Sequence, residues 1–195
     1  MAENSEDTFV TRSHCPLCGS ELVTHWQSFD IPFFGDVMNV STVCTCGFRF
    51  ADTLVLSQRE PVRYELLVQS TDDLNARVVR STSGTIRIPE LGIDIEPGAA
   101  SESFVSNIEG VLDRVRDVLK GVLCWDSPED AEKRENAKAL LSRIDDVVEG
   151  NEEISVIIED PLGNSAIISD RASRTFLSPE EARMLRTGEI VFEKA

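Results

Sequence analysis

The spacing of hydrophobic residues changes twice along this chain, and these changes predict its elements. Apolar and polar residues alternate in the first half and again near the end, which is the period of a strand with one buried face. The strands predicted from this alternation are 21–29, 36–43, 62–68, 76–80, 85–88, 154–159, 164–169 and 190–192. The alternating segment 48–56 links the second of these strands to the third. The pattern therefore predicts a mainly β protein.

The middle of the chain has helical spacing instead. Apolar residues follow one stripe over 108–122, after a start at 106–109 that fits a capping box. A second stripe covers 137–148, after a proline-initiated start at Ser127. We expect two antiparallel amphipathic helices that form a helical hairpin, inserted into the β unit at about 103–150.

Turn residues predict how the last elements connect. The segment 160–163 reads Asp-Pro-Leu-Gly and separates the predicted strands 154–159 and 164–169, which indicates a β-hairpin. A short helix is predicted to begin after a cap at Ser178 and to end near Gly188.

Side-chain burial is predicted from the same alternation. Arginine alternates with apolar residues on three neighbouring strands, which predicts an exposed sheet face with the apolar side chains turned inward. The arginines of this face are Arg63, Arg77, Arg80 and Arg87, and a phosphate or acidic-partner site formed by them is the less favoured alternative. Cys124, between the two long helices, is expected to be a small buried apolar residue, because nothing near it in sequence supplies a base.

Two close cysteine pairs carry the clearest chemistry. Cys15 and Cys18 lie in a Cys-Pro-x-Cys-Gly segment, and Cys44 and Cys46 follow after one hairpin-length insert. This layout is typical of a zinc ribbon, in which four thiolates surround one tetrahedral Zn²⁺. Four thiolates leave no open position on the metal, so a structural zinc is favoured over a redox or disulfide role.

The second cysteine pair departs from the usual spacing. Only Thr45 separates Cys44 from Cys46, so we expect an extended segment with both sulfurs on one side and without the usual knuckle hydrogen bonds. His14 is an alternative ligand, although a surface position beside the first pair is the simpler interpretation.

Four further motifs, taken in order, give the chain a family resemblance. They are Ile-Pro-Phe-Phe at 31–34, Ile-Pro-Glu-Leu-Gly at 88–92, Ile-Glu-Gly-Val-Leu at 108–112 and Glu-Asp-Pro-Leu-Gly-Asn-Ser at 159–165. Together with the cysteine pairs they resemble the ZPR-type zinc-finger family of eukaryotes and archaea, over roughly residues 13 to 170. The chain holds one copy of the finger-plus-domain unit, as in archaeal relatives.

The resemblance implies a fold and a partner. The fold would be a zinc ribbon followed by a double-stranded β-helix or jelly-roll-like domain that carries the helical hairpin. The partner would be translation elongation factor one-alpha, with the chain as its binding protein or folding helper.

We expect an acidic tail at 1–9, the finger at 10–57 and the β domain at 58–195. Phe33 and Phe34, at the tip of the finger, are candidate partner-binding residues, although such a pair more often packs on a neighbouring domain.

Composition narrows the function classes. The 195 residues contain 35 acidic and 19 basic side chains, with only four lysines, which resembles a salt-adapted archaeal proteome. The net charge of −16 repels phosphate backbones, so nucleic acid is an unlikely partner and a nucleic-acid-binding zinc ribbon is the second choice. The chain shows neither a signal peptide nor an apolar run of membrane-spanning length, so we expect a cytoplasmic protein without a membrane partner.

Catalytic motifs are missing from the sequence. His14 and His25 are the only histidines, and neither lies in the β domain, so the ligand cluster of a catalytic metal is not expected there. The chain also has no glycine-rich phosphate loop and no nucleophile elbow. We therefore expect no enzyme, and we rank a hydrolase or redox enzyme that uses Cys124 or the cysteine pairs third among the alternatives.

Overall fold

A computed structural model describes residues 8–31, 35–55, 59–98 and 101–187. The chain divides into two units, Met1–Arg59 and Glu60–Ala195.

The first unit contains one antiparallel sheet with strands in chain order. Its strands are β1 (Thr8–His14), β2 (Glu21–Ile31), β3 (Gly35–Val43) and β4 (Arg49–Val55). The expected tail at 1–9 is wrong for Thr8 and Phe9, which pair with β2. The Phe9 ring stacks on Trp26 with centroids 5.6 Å apart, which explains why the strand begins before the tail was expected to end.

The second unit contains two sheets. Five strands form the first in the order β12-β5-β10-β7-β8, and three form the second in the order β11-β6-β9. The strands are β5 (Val62–Val68), β6 (Arg77–Arg80), β7 (Thr85–Ile88), β8 (Ile93–Ile95), β9 (Phe104–Asn107), β10 (Ile154–Asp160), β11 (Ala166–Ile168) and β12 (Ser173–Phe176). The mainly β fold with a helical insertion is therefore confirmed.

The helices of this unit are α1 (Ile108–Leu123), α2 (Ala131–Val148) and α3 (Pro179–Met184). The capping box predicted for α1 is wrong, because Asn107 is the cap and its Oδ1 accepts a 2.9 Å hydrogen bond from the Gly110 amide. The helix α3 does have a capping box, between Ser178 and Glu181, but it ends at Met184, earlier than expected.

The main core lies between the two long helices and both sheets. Ile108, Val111 and Leu112 of α1 pack with Ile144 and Val147 of α2. The hydrophobic stripe of α1 does not stay buried to its end, however. Val118 is 68% exposed, whereas the next residue, Leu119, packs partly buried against the core.

Two predictions of side-chain burial are wrong. Arg80 is buried rather than exposed, because both faces of β6 are covered and three of its four residues are buried. Arg77, in contrast, is exposed as predicted. Cys124 is exposed rather than buried, since it caps the end of α1 in the connection between the helices, away from the core.

The predicted hairpin at 160–163 is also wrong. The segment does turn, with a hydrogen bond from the Gly163 amide to the Asp160 carbonyl and a φ of 71° at Gly163. However, β10 pairs with β5 and β7, whereas β11 pairs with β6 in the other sheet. The turn therefore passes the chain from one sheet to the other.

A buried carboxylate holds this crossing in place. Asp160 is fully buried and accepts hydrogen bonds from three serine hydroxyls and two backbone amides. The donors and distances are Ser81 Oγ at 2.7 Å, Ser83 Oγ at 2.7 Å, Ser165 Oγ at 2.6 Å, Leu162 N at 2.9 Å and Asn164 N at 3.0 Å. A carboxylate with this many donors is well compensated for its burial. The motif at 159–165 is therefore more than a turn, because it also binds the β6–β7 connection.

Some elements were not predicted, and others lie outside the described residues. The strands β8, β9 and β12 are three or four residues long, too short for a periodic signal. All four residues of β12 are exposed, and its pairing with β5 runs through the backbone. The strand predicted at 190–192 lies outside the described residues.

Candidate metal centre

The first cysteine loop connects β1 to β2. Gly19 has a φ of 71°, a left-handed conformation that glycine adopts without strain. The loop is closed by hydrogen bonds from the Gly19 amide to the Cys15 carbonyl at 2.9 Å and from the Cys15 amide to the Ser20 carbonyl at 2.8 Å. This reversal brings Cys15 and Cys18 to the same end of the sheet.

The second loop, between β3 and β4, repeats this arrangement with one residue fewer. The Cys44 amide donates to the Phe48 carbonyl at 2.8 Å, and the Gly47 amide donates to the Cys44 carbonyl at 3.0 Å. Gly47 has a φ of 95°, again a left-handed backbone. The expected extended segment is therefore wrong. The chain makes a tight turn because the neighbouring strands β3 and β4 are antiparallel and must be joined within a few residues.

The four sulfurs converge. The Sγ atoms of Cys15, Cys18, Cys44 and Cys46 all lie within 4.8 Å of one another. Two sulfur pairs join the loops, Cys15 with Cys46 and Cys18 with Cys44, and the Sγ–Sγ distance is 3.6 Å in both. A tetrahedral zinc with Zn–S bonds of about 2.3 Å requires sulfurs about 3.8 Å apart. The cluster thus has the donor type and the spacing of a four-thiolate zinc site.

The surroundings of the sulfurs are half apolar and half open. Cys15 and Cys44 are buried and pack with Leu22 and Phe48, whereas Cys18 and Cys46 are exposed. An apolar floor with a solvent-facing side is suited to a structural metal that holds two loops together.

Hydrogen bonds and crowding separate the acidities of the exposed thiols. The Ser20 hydroxyl lies 3.3 Å from Cys18 Sγ, and it and the Ser20 amide lower the pKa of Cys18 to about 6. The Phe48 amide lowers the pKa of Cys46, but the neighbouring sulfurs of Cys18 and Cys44 outweigh it and raise that pKa to about 12. Four adjacent thiolates repel one another, so a divalent cation is required to hold all four in the charged form.

Both loops therefore supply an amide to a sulfur. The Ser20 amide hydrogen-bonds to Cys18, and the Phe48 amide hydrogen-bonds to Cys46. Each amide lies two residues after its cysteine. The prediction that the second loop lacks such a bond is wrong. Ser20 and Phe48 were missed from the sequence, where a position two residues after a cysteine is the signal that could have identified them.

The other candidate residues do not join this cluster. His14 is exposed at the end of β1 and is not among the four ligands grouped within the described residues. Cys124 belongs to the second unit. Phe33 and Phe34 lie outside the described residues, so their role in partner binding stays a prediction.

The fold and the site define a zinc-binding protein with a ribbon-like first unit and a β second unit that carries a helical hairpin. Two family domains match the chain in this order, the ZPR1 zinc-finger domain over residues 9–53 and the ZPR1 jelly-roll domain over residues 72–189. The chain belongs to the ZPR1 family. Membership and the cysteine cluster together indicate that it binds zinc.

Archaeal relatives match the chain over most of its length. An uncharacterized ZPR1-like protein of Methanocaldococcus jannaschii is 44% identical over 188 residues, which is 94% of this chain and 93% of the relative. A second such protein, from Pyrococcus horikoshii, is 45% identical over 91% of this chain and 81% of the relative.

Eukaryotic relatives are longer. The zinc finger chaperone zpr1 of Schizosaccharomyces pombe is 32% identical over 77% of this chain, but the match covers only 34% of the yeast protein. The match to this relative therefore concerns about a third of its length.

Membrane-spanning helices are absent from the part of the chain that the structure describes, since none of its helices has the required length and apolar character.

Proposed function

We propose that this protein is a zinc-stabilised protein-binding module that serves translation elongation factor one-alpha as a binding partner or folding helper in the cytoplasm. The observation that carries the proposal is the closed cluster of four cysteine sulfurs. A metal held by four thiolates has no open position for substrate, so its role is to shape a surface rather than to perform chemistry. The name of the yeast relative, zinc finger chaperone, supports a role in protein binding.

The named partner rests on the family resemblance of the ordered motifs. We assign Cys15, Cys18, Cys44 and Cys46 as the zinc ligands. We assign Phe33 and Phe34, between β2 and β3, as partner-binding residues on the basis of their sequence position alone. Two adjacent aromatic rings supply the large apolar area that protein interfaces concentrate in a few residues.

Nucleic acid is the competing partner, and one feature favours it. Phe9 and Trp26 stack at an interplanar angle of 4° on the sheet of the first unit, and Phe9 is 48% exposed, as in a platform for bases. Residues 1–59, however, contain only three arginines against seven carboxylates, and no lysine. Binding to nucleic acid depends on basic side chains that contact phosphates, so the protein partner is the better supported choice.

A direct binding measurement tests the proposal. The zinc-loaded chain is immobilised, and purified elongation factor one-alpha from the same organism is passed over it at low and at high KCl. We expect saturable binding. The double variant Phe33→Ala and Phe34→Ala should weaken it, because an aromatic anchor contributes roughly 2 kcal/mol, or about thirtyfold in Kd.

Phe176 supplies the matched control. It is a phenylalanine of the second unit that is 58% exposed, and Phe176→Ala removes the same kind of ring from that unit. Zinc content, and Trp26 fluorescence read in a Trp125→Phe background, establish that the finger of the double variant is folded. Loss of binding together with loss of zinc would mean that Phe33 and Phe34 belong to the core. If the wild-type chain binds single-stranded RNA but not the factor, the nucleic-acid alternative holds.

A further inference from the structure

The second unit contains a cavity of about 620 Å³ that is separate from the cysteine cluster. Its walls are mostly apolar and come from one edge of each sheet and from α1. The apolar lining includes Ile93 and Ile95 of β8, Phe104 of β9, and Val111, Val115 and Val118 of α1. A cavity of this size with apolar walls is in the range of pockets that hold small ligands, about 300–1,000 Å³.

Two arginines line the same cavity and meet at one aromatic ring. The guanidinium carbon of Arg114 lies 4.3 Å from the centroid of Phe104, and that of Arg80 lies 5.8 Å from it. Both side chains are thus held against the ring by cation–π contacts. We call the cavity with Arg80, Phe104 and Arg114 the arginine pocket.

The charge of Arg80 is buried without a carboxylate partner. Arg80 is 4% exposed, and its Nε donates to the Gly84 carbonyl at 2.9 Å, while its Nη1 makes only a long contact of 3.4 Å with the Glu102 carbonyl. Among the described residues, Arg80 Nη2 has no hydrogen-bond partner, and neither Arg80 nor Arg114 forms an ion pair. Arg63, Arg87 and Arg171 of the same unit, in contrast, are all bound by carboxylates.

The two acidic residues of the lining do not neutralise this pair. Asp94 is bound by Arg87 at 3.0 Å, and Glu102 contacts Arg80 through its backbone carbonyl. Burial lowers the pKa of Arg80, and the positive charge of Arg114 lowers it further, against the opposing effect of Asp160. A buried charge that no carboxylate contacts is costly, so an anion between the two guanidinium groups would stabilise this arrangement.

We propose that the arginine pocket binds an organic carboxylate with an apolar body. The carboxylate would accept hydrogen bonds from Arg80 and Arg114, and the apolar body would lie against the walls from β8 and α1. Guanidinium groups suit this role because their planar donor pairs match the two oxygens of a carboxylate. An inorganic anion would leave the apolar walls in contact with water, and a neutral apolar molecule would leave both guanidinium groups without an anionic partner. The ligand class follows from these two mismatches.

Calorimetric titration of the zinc-loaded full chain tests the proposal, at an ionic strength of about 0.15 M, where charge interactions act over about 8 Å. The first probe is octanoate, with octanamide as its uncharged match. The second is a tetrapeptide that ends in leucine with a free carboxylate, with the amidated peptide as its match. Saturable binding of octanoate but not octanamide would identify a free small acid. Binding of the free-acid peptide alone would identify a chain terminus of a protein. If neither acid binds better than its match, the proposal is overturned.

Variants locate the site. Arg114 is exposed, so Arg114→Gln removes a charge without disturbing the core, and it should raise the Kd of the acid about tenfold or more. Arg77→Gln is the matched control, because Arg77 is also exposed but does not line the pocket. Val118→Asp places a carboxylate on the exposed wall and should abolish binding. Unchanged binding in Arg114→Gln, or an equal loss in Arg77→Gln, would contradict the proposal.

Discussion

Ser81 Oγ donates a 2.7 Å hydrogen bond to Asp160 Oδ2 across 79 positions of the chain. The bond connects the turn after β6, a strand of the three-stranded sheet, to the end of β10, a strand of the five-stranded sheet. Ser165 Oγ reaches the same carboxylate oxygen at 2.6 Å and lies 3.3 Å from Ser81 Oγ. One carboxylate therefore fixes the place where the chain crosses between sheets.

We expect Asp160→Asn to destabilise the second unit by about 3 kcal/mol. Hydroxyl groups can rotate to accept a hydrogen bond, but backbone amides cannot. Oδ1 accepts from the Leu162 amide and Oδ2 from the Asn164 amide, so an amide nitrogen at either position leaves one buried donor without an acceptor.

Urea unfolding measures this loss. Trp26 and Trp125 are the only tryptophans, so a Trp26→Phe background makes Trp125 report on the second unit alone. Asp146→Asn serves as the control, since Asp146 is an exposed carboxylate on α2. Equal midpoints for Asp160→Asn and Asp146→Asn would show that the buried network does not stabilise the unit.

Removal of one zinc ligand should unfold the first unit only. Binding of zinc to thiolates supplies roughly 10–16 kcal/mol to small zinc modules, so Cys15→Ser or Cys18→Ser should release the metal and melt the finger. One zinc per chain is expected in the wild type by metal analysis under reducing conditions. Cys124→Ser is the control and should keep its zinc, because Cys124 lies in the other unit. Wild-type protein without zinc would refute the metal assignment.

Acid should weaken the second unit through Asp73. Burial raises the pKa of Asp73, but hydrogen bonds from the Gln69 amide, Ser70 and Arg171 outweigh it and hold that pKa below its usual 3.8. A lowered folded-state pKa means that the stabilisation is complete above the unfolded pKa and is lost as pH falls below about 4. The Arg171 Nη1 contact at 2.6 Å is part of this effect, so Arg171→Gln should raise the folded-state pKa and make the acid-dependent loss smaller and complete at a higher pH.

Urea midpoints at several pH values, read from Trp125 as above, check this prediction. Arg77→Gln is again a suitable control, because Arg77 is exposed. The difference between wild type and Arg171→Gln should shrink as Asp73 becomes protonated. A difference that is constant over the acid range would show that Arg171 stabilises the unit without involving the charge of Asp73.

Salt should stabilise the protein. With 35 acidic against 19 basic side chains, the surface repels itself, and the range of this repulsion falls from about 30 Å at 0.01 M to about 3 Å at 1 M salt. Melting temperatures should therefore rise with KCl, most steeply below about 1 M. Sucrose, which carries no charge, controls for the general effect of excluded solutes. A flat or falling curve in KCl would indicate that the acidic excess serves a partner site.

The local pattern of the sequence was sufficient to predict several secondary-structure elements and the metal site. The strands β5 and β7 and the two long helices follow from periodicity, because their apolar residues repeat with the period of the element that they form. The four cysteines identify a zinc ribbon because the donor type and loop length of such a site are set within short segments.

Tertiary structure alone decided which strands pair and which charged groups are buried. The composition of 160–163 predicts a turn, but the partner of β11 is β6, some ninety positions earlier in the chain, and no local rule specifies it. If only one face of each strand were covered, the polar side chains of Arg80 and Asp160 would be exposed to water. They are buried because a second layer of the fold covers them, and two of the serine partners of Asp160, Ser81 and Ser83, come from a distant segment.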